Sequence, residues 1–204
     1  MPIEISLTSF TDFVAKVGAA KYTVAKTVAE QLSEGYDPRT DFWKKLREGI
    51  IALHKEGRPK SDLDVLEKHL TDPKKRKRYP PCVKGYKKFL GNGPTLGKKP
   101  KACTWQASDL EIRVNPEVLM DYKGQLWLLK LYFKEQALRK AEVDTVLYLL
   151  KEHHPLGTKA SVGLVDVARG RLIQYTDEKP GMGAVLVGEA SSMAHMLRAA
   201  GLKI

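Results

Sequence analysis

The 204-residue sequence predicts an α+β protein in which N-terminal helices precede a mixed β-sheet flanked by helices. Three observations carry that expectation. Apolar residues recur at spacings of four and seven through the first 70 positions, the pattern of one buried helix face. Leu110, Ile112 and Val114 alternate with Glu111 and Arg113, as a strand with one buried side requires. Gln125 to Lys134, QLWLLKLYFK, is apolar on both sides, which suits a strand covered on both faces.

In chain order, Phe13, Val17, Val24, Val28 and Leu32 predict a first helix of about 20 residues, with Ser9 and Asp12 as its capping box. Asp37-Pro38 supplies a cap and an N1 proline for a second helix, whose stripe Phe42, Leu46, Ile50 and Leu53 stops at Gly57. A third, shorter helix is expected over 61–70. Pro73, Pro80, Pro81, Pro94 and Pro100 interrupt the next stretch, which should be loop apart from a short helix around 83–90. After the strand at 110–114, NPEVLMDYKG must turn before the strand at 125–134. A helix over 137–153 stops before Pro155. Residues 161–175 read as a hairpin about Arg169-Gly170, followed by a short strand over 184–187 and a closing helix over 189–200. The expected organisation is a helical region at 1–70, a basic connecting segment at 71–104 and a sheet domain at 105–204.

Composition narrows the class. With 43% hydrophobic and 29% charged residues, the chain can bury the core of one or two domains. Its longest apolar stretches, Leu126 to Leu129 and Ala184 to Val187, fall far short of the roughly 20 residues that span a bilayer, so no membrane partner is expected. The opening MPIEISLTSF lacks the pattern of a secretory signal, and the expected location is the cytoplasm. Cys82 and Cys103 are expected as reduced thiols, without zinc-site spacing around them.

The net charge of +11 is concentrated. The outer segments 1–70 and 105–204 are nearly neutral. Residues 71–104 carry Lys74, Lys75, Arg76, Lys77, Arg78, Lys84, Lys87, Lys88, Lys98, Lys99 and Lys101 against Asp72 alone, a net of +10. Such a block attracts a polyanion because each neutralised phosphate releases condensed counterions. Nucleic acid, DNA before RNA, is the expected partner. The interleaved Tyr79, Tyr86, Phe89 and Trp105 would either stack on bases or anchor the segment to the core. Other readings of the charge are a solvated linker, an acidic protein or anionic lipid.

Lys130 is the other informative residue, because an unpaired ammonium buried among Leu126 to Phe133 would cost several kcal/mol. A carboxylate, a phosphate, an edge position or a snorkelling side chain would relieve that cost. Glu117 and Asp121, on the preceding turn, could pair with it. Together they could hold a magnesium ion and act with Lys130 on a phosphodiester; otherwise they punctuate a surface turn. Other candidates are weaker. NGPTLGKK at 92–99 lacks the first glycine and the hydroxyl of a phosphate loop and reads as a basic loop. Gly181-x-Gly183 precedes its strand and reads as a turn. His153 and His154 suit a helix C-terminus, Ser191-Ser192 a helix cap, and His54, His69 and His195 have no evident partner.

At Pro116-Glu117 and Leu128-Leu129-Lys130 the chain resembles the PD-(D/E)XK nuclease superfamily, with Pro116-Glu117 in place of the proline-acid pair and Leu128-x-Lys130 in place of acid-x-lysine. Leu128 stands where the second acid belongs, and Asp121, Glu30 or Glu48 would have to replace missing acids. The resemblance covers residues 105–176. It implies a restriction-endonuclease-like αβββαβ core associated with DNA that has lost catalysis. Three functions are therefore carried forward: a nucleic-acid-binding protein with a degenerate nuclease-like core, an active magnesium-dependent nuclease using Glu117, Asp121 and Lys130, and a scaffold that docks an acidic protein.

Overall fold

The computed structural model describes residues 2–35, 41–68, 70–93, 95–177 and 179–202; Asp37-Pro38, His69 and Pro94 lie outside them. The elements are β1 (Ile3–Ser6), α1 (Leu7–Val14), α2 (Ala19–Glu34), α3 (Lys44–Glu56), a 3-10 helix (Lys60–Leu66) and α4 (Pro73–Leu90). There follow β2 (Gly97–Lys98), β3 (Cys103–Ala107), β4 (Leu110–Val114), β5 (Val118–Tyr122), β6 (Gln125–Tyr132), α5 (Lys140–His153), β7 (Ser161–Asp166), β8 (Arg171–Gln174) and α6 (Met182–Ala199). The strands form a three-stranded sheet, β1-β4-β3, and a five-stranded mixed sheet, β2-β5-β6-β7-β8. The α+β class is as the sequence predicts. Among the described residues no helix is long and apolar enough to cross a membrane.

β6 is the central strand, antiparallel to β5 and parallel to β7 through the crossover helix α5. Its alternation divides the interior in two. Leu128 faces a core shared with α1, α2, α5, α6 and the three-stranded sheet. Trp127, Leu129 and Leu131 face a second core closed by α3, the 3-10 helix and α4. The boundaries expected at 70 and 104 therefore do not coincide with the packing. β1 pairs in parallel with β4, and α4 covers one face of the five-stranded sheet.

The largest correction concerns the basic segment. Residues 73–90 form one continuous helix, which includes the short helix expected around 83–90 and extends it back over 73–82 in place of the expected loop. Asp72 caps it, accepting from the Lys74 and Lys75 amides, and Pro73 occupies its first turn, where no N–H is required. Pro80 and Pro81 lie in its interior and leave the carbonyls of Arg76 and Lys77 without their helical donors, a cost of about 3 kcal/mol or more per interior proline. Tyr79, Cys82, Val83, Tyr86, Phe89 and Leu90 offset it by burying a stripe at helical spacing against the sheet.

Other differences have local causes. The expected first helix is broken at Gly18, whose φ of +55° ends the helical path, and its cap is Ser6, accepting from the Ser9 amide, instead of Ser9 with Asp12. β1 is additional to the expected elements, and its sequence signal is short because only Ile3 and Ile5 alternate inward. Residues 60–66 form a 3-10 helix, with Leu63 buried. The segment expected to turn as a whole contains β5; only Lys123-Gly124 turn, both at positive φ, as a two-residue type I′ hairpin requires. Ala184 to Val187 belong to α6, because the buried positions Leu186, Ala190, Met193, Ala194 and Leu197 continue one helical period; Ser191 and Ser192 accordingly lie mid-helix and cap nothing.

α4 meets the β7–β8 turn at backbone distance. A Cβ at Gly85 would lie 2.1 Å from the Val167 carbonyl oxygen and 2.5 Å from that of Ala168. Gly188, on the outer side of α6, has nothing within 4 Å of such a carbon. Gly85→Ala is expected to lower unfolding free energy by about 3 kcal/mol or more, since backbone cannot move aside, whereas Gly188→Ala raises it by up to about 1 kcal/mol. Urea titration of both variants checks the contrast.

Candidate functional site

Two candidate sites emerge, on opposite faces of the five-stranded sheet. The first lies at the β5–β6 hairpin. Lys130 and Glu117 are 7% and 4% exposed and form an ion pair, Nζ to Oε1, of 2.7 Å. The ammonium also donates to the Asn115 carbonyl oxygen at 2.8 Å and to Asn115 Oδ1 at 3.0 Å, so all three protons have acceptors. The second carboxylate oxygen, Glu117 Oε2, accepts from the Leu131 amide at 2.8 Å. The buried charge is thus neutralised internally.

Asp121 does not join this pair. It lies four residues along β5, roughly 13 Å at strand rise, at the hairpin tip, where Oδ1 accepts from the Gly124 amide. Leu128, at the position of the second acid, is fully buried. Glu48 pairs with Lys44, and Glu30 is exposed on α2. Among the described residues no three His, Cys, Asp or Glu side chains converge as a metal site. The expected Glu117–Asp121 magnesium pair is therefore separated by the length of the strand. Beside Lys130 a cavity of about 40 Å³, lined among others by Thr8, Thr11, Asp12 and Lys134, has room for water.

The second site is the outer face of α4. At 100° per residue, Lys74, Lys77, Lys84 and Lys88 fall within an arc of about 80° and extend over about 21 Å of helix. All four are exposed, and their ammonium groups have no partner among the described residues. The other cations of α4 are engaged. Lys75 lies over the Phe42 ring, 5.8 Å from its centroid, and Arg76 donates to the Leu70 carbonyl. Arg78 pairs with Glu135, and Lys87 with Asp64 at 2.8 Å. Lys98 is separated from the stripe: on the edge strand β2 it sits opposite Leu119, whose side chain belongs to the core on the other sheet face, and the exposed Lys99 follows it. NGPTLGKK is thus partly strand. Tyr79, Tyr86 and Phe89 are 0%, 0% and 4% exposed and Trp105 is 7% exposed, so these rings anchor the fold.

Periodicity within the segment holds the signal for this stripe, and the prolines at 73, 80 and 81 mask it. The remaining candidates are structural. His54, on α3, bridges the Thr95 carbonyl through Nδ1 and the Tyr86 hydroxyl through Nε2 at 2.7 Å. Since a carbonyl only accepts, Nδ1 carries the proton and Tyr86 donates to Nε2. Burial lowers the His54 pKa from 6.5 to about 4, against the opposing Thr95 bond, and pushes the Tyr86 hydroxyl upward. His154 is buried, with Nε2 near the Lys101 carbonyl, and His153 packs on Trp105. Burial raises the Cys82 thiol to about 12, which removes it as a nucleophile at neutral pH. The sequence matches no model of a known protein family, and no curated protein matches it.

Two outcomes are expected. Lys130→Met lowers stability by about 3–5 kcal/mol by stranding the Glu117 carboxylate. Adding Glu117→Gln restores more than half of the loss, because a neutral amide oxygen still accepts from Leu131; denaturant melts of the single and double variants measure this. Because His54 is held neutral, the unfolded chain takes up a proton that the folded chain refuses. Stability should fall as pH drops from 6.5 to about 4, by on the order of 3 kcal/mol. His54→Gln should flatten that part of a stability–pH curve.

Proposed function

We propose that this protein binds nucleic acid, with DNA as the preferred polymer, through the outer face of α4. The observation that carries the reading is the row of four exposed lysines on one helix, without partners among the described residues. A polyanion laid along that row neutralises them together, and the release of its counterions drives association. The β5–β6 hairpin is read as a nuclease-like element without catalysis. Support for that part is the leucine at the second acidic position and the occupation of both Glu117 oxygens by Lys130 and Leu131. The two unpaired cysteines support a reducing compartment, the cytoplasm.

Fluorescence anisotropy with a short labelled DNA duplex tests the binding. Four phosphate contacts correspond to a log–log salt slope of roughly −3.6, or a loss on the order of 10²-fold between about 50 and 200 mM salt. Charge reversal of Lys74, Lys77, Lys84 and Lys88 together should flatten the slope and weaken binding at least about tenfold. Reversal of Lys26, exposed on α2 across the sheet, should leave it within about twofold. Binding unchanged in the fourfold variant would refute the assignment, and persistence of a polyglutamate complex in place of DNA would transfer the surface to an acidic protein. Plasmid incubated with magnesium or manganese should stay intact; metal-dependent nicking abolished by Lys130→Ala would restore the nuclease reading.

A further inference from the structure

Granted that α4 is a nucleic-acid surface, the chemistry of its exposed face also determines which form of polymer it takes. We infer that α4 recognises the sugar–phosphate backbone of a duplex, without reading base sequence and without a use for single strands. The exposed positions along the stripe are Lys74, Lys77, Pro81, Lys84 and Lys88. Discrimination among all four base pairs rests on several side-chain types, with arginine or lysine meeting guanine and asparagine or glutamine meeting adenine in pairs of contacts. The stripe holds no arginine, asparagine or glutamine. Arg76 and Arg78, the arginines of this helix, are bound to the Leu70 carbonyl and to Glu135. Lysine presents a compact charge on a flexible stem and meets phosphate as a point charge.

Single strands are held differently. Their affinity comes largely from bases stacked on aromatic rings, at about 1–3 kcal/mol per base, above a groove that follows the backbone. On α4 the rings face the opposite way: Tyr79, Tyr86 and Phe89 are buried against the sheet. Trp43, beside the start of the helix, is half-buried and stacked on Tyr79 and Phe133, with ring centroids 5.8 and 5.6 Å away. Phe42 is covered by Lys75 and meets Trp43 and Tyr79 edge-on. What remains is a convex ridge of charge about 21 Å long on a helix whose other face is packed against the sheet. A duplex suits such a ridge better, because it carries one charge per roughly 1.7 Å of axis and returns more counterions per contact than a single strand.

Competition against one labelled duplex distinguishes the outcomes. Unlabelled duplexes rich in A·T and in G·C should displace the label with affinities within about twofold of each other, and a single strand of equal length should require at least about tenfold higher concentration. A single strand that competes equally well, or a preference of more than about tenfold between the two duplexes, overturns this inference while leaving nucleic-acid binding in place. If no polymer binds in the direct titration, the broader reading of α4 falls, and this inference with it.

Discussion

The burial of one face of α4 against β5, β6 and β7 is the contact on which the other features depend. The segment from Lys74 to Arg78 holds five consecutive cations, and the helix interior holds two prolines, so neither charge nor backbone propensity favours a helix there. The helix persists because Tyr79, Cys82, Val83, Tyr86, Phe89 and Leu90 recur at spacings of three and four and reach the sheet together. Once that face is fixed, the cations have no freedom of placement. Those nearest the sheet or the flanking loops meet Phe42, Leu70, Glu135 and Asp64, and the remainder form a row facing water. The close approach of Gly85 to the β7–β8 turn holds the helix at one height and angle on the sheet.

The Lys130–Glu117 pair solves a different problem, created by a charge on the central strand. Removing two charges from water costs several kcal/mol for each, and their attraction compensates only if the remaining donors and acceptors are also satisfied. Here they are, through Asn115 and the Leu131 amide. The pair joins the loop before β5 to the middle of β6. It therefore helps fix the register of the hairpin, in which Val118 sits opposite Leu129. The same saturation leaves each proton of the ammonium on an acceptor of the chain itself.

Much of the architecture was legible wherever one physical signal dominated. The two-sided apolar run at 125–134 reads as a covered strand, and β6 is buried on both faces from Trp127 to Leu131; Gly57 in the left-handed region closes α3 where the stripe stops, and Arg169-Gly170 separates β7 from β8. Reading failed where two signals competed. Proline content outweighed helical spacing at residues 73–82, although long-range packing reverses that order in the folded chain. Four consecutive apolar residues at 184–187 suggested a strand because the helical period that contains them becomes visible only from Leu186 onward. For the candidate site, the proximity of Glu117 to Lys130 followed from hairpin spacing, and the distance of Asp121 follows from the same hairpin once β5 is recognised as a strand. The charge excess was correct as a total. Its division into paired and free cations depends on Glu135, Asp64 and Phe42, which are remote in sequence.

Sheet alternation also separates the two candidate sites. Lys130 stands opposite Leu164 in the register with β7, on the face covered by α1 and α5, whereas α4 lies over the face formed by Leu129, Leu131 and Val165. A phosphate on the outer lysines is removed from Lys130 by the thickness of a helix, about 10 Å, and then by the sheet itself. Proton transfer or charge stabilisation by a side chain requires an approach of about 3 Å. A polymer held along α4 therefore cannot present the same segment to the hairpin. Lys130 lies on the opposite face, beside a cavity of about 40 Å³ and with its ammonium fully paired. The geometry thus divides the molecule into a charged outer surface suited to contact and a neutralised interior suited to holding the sheet in register.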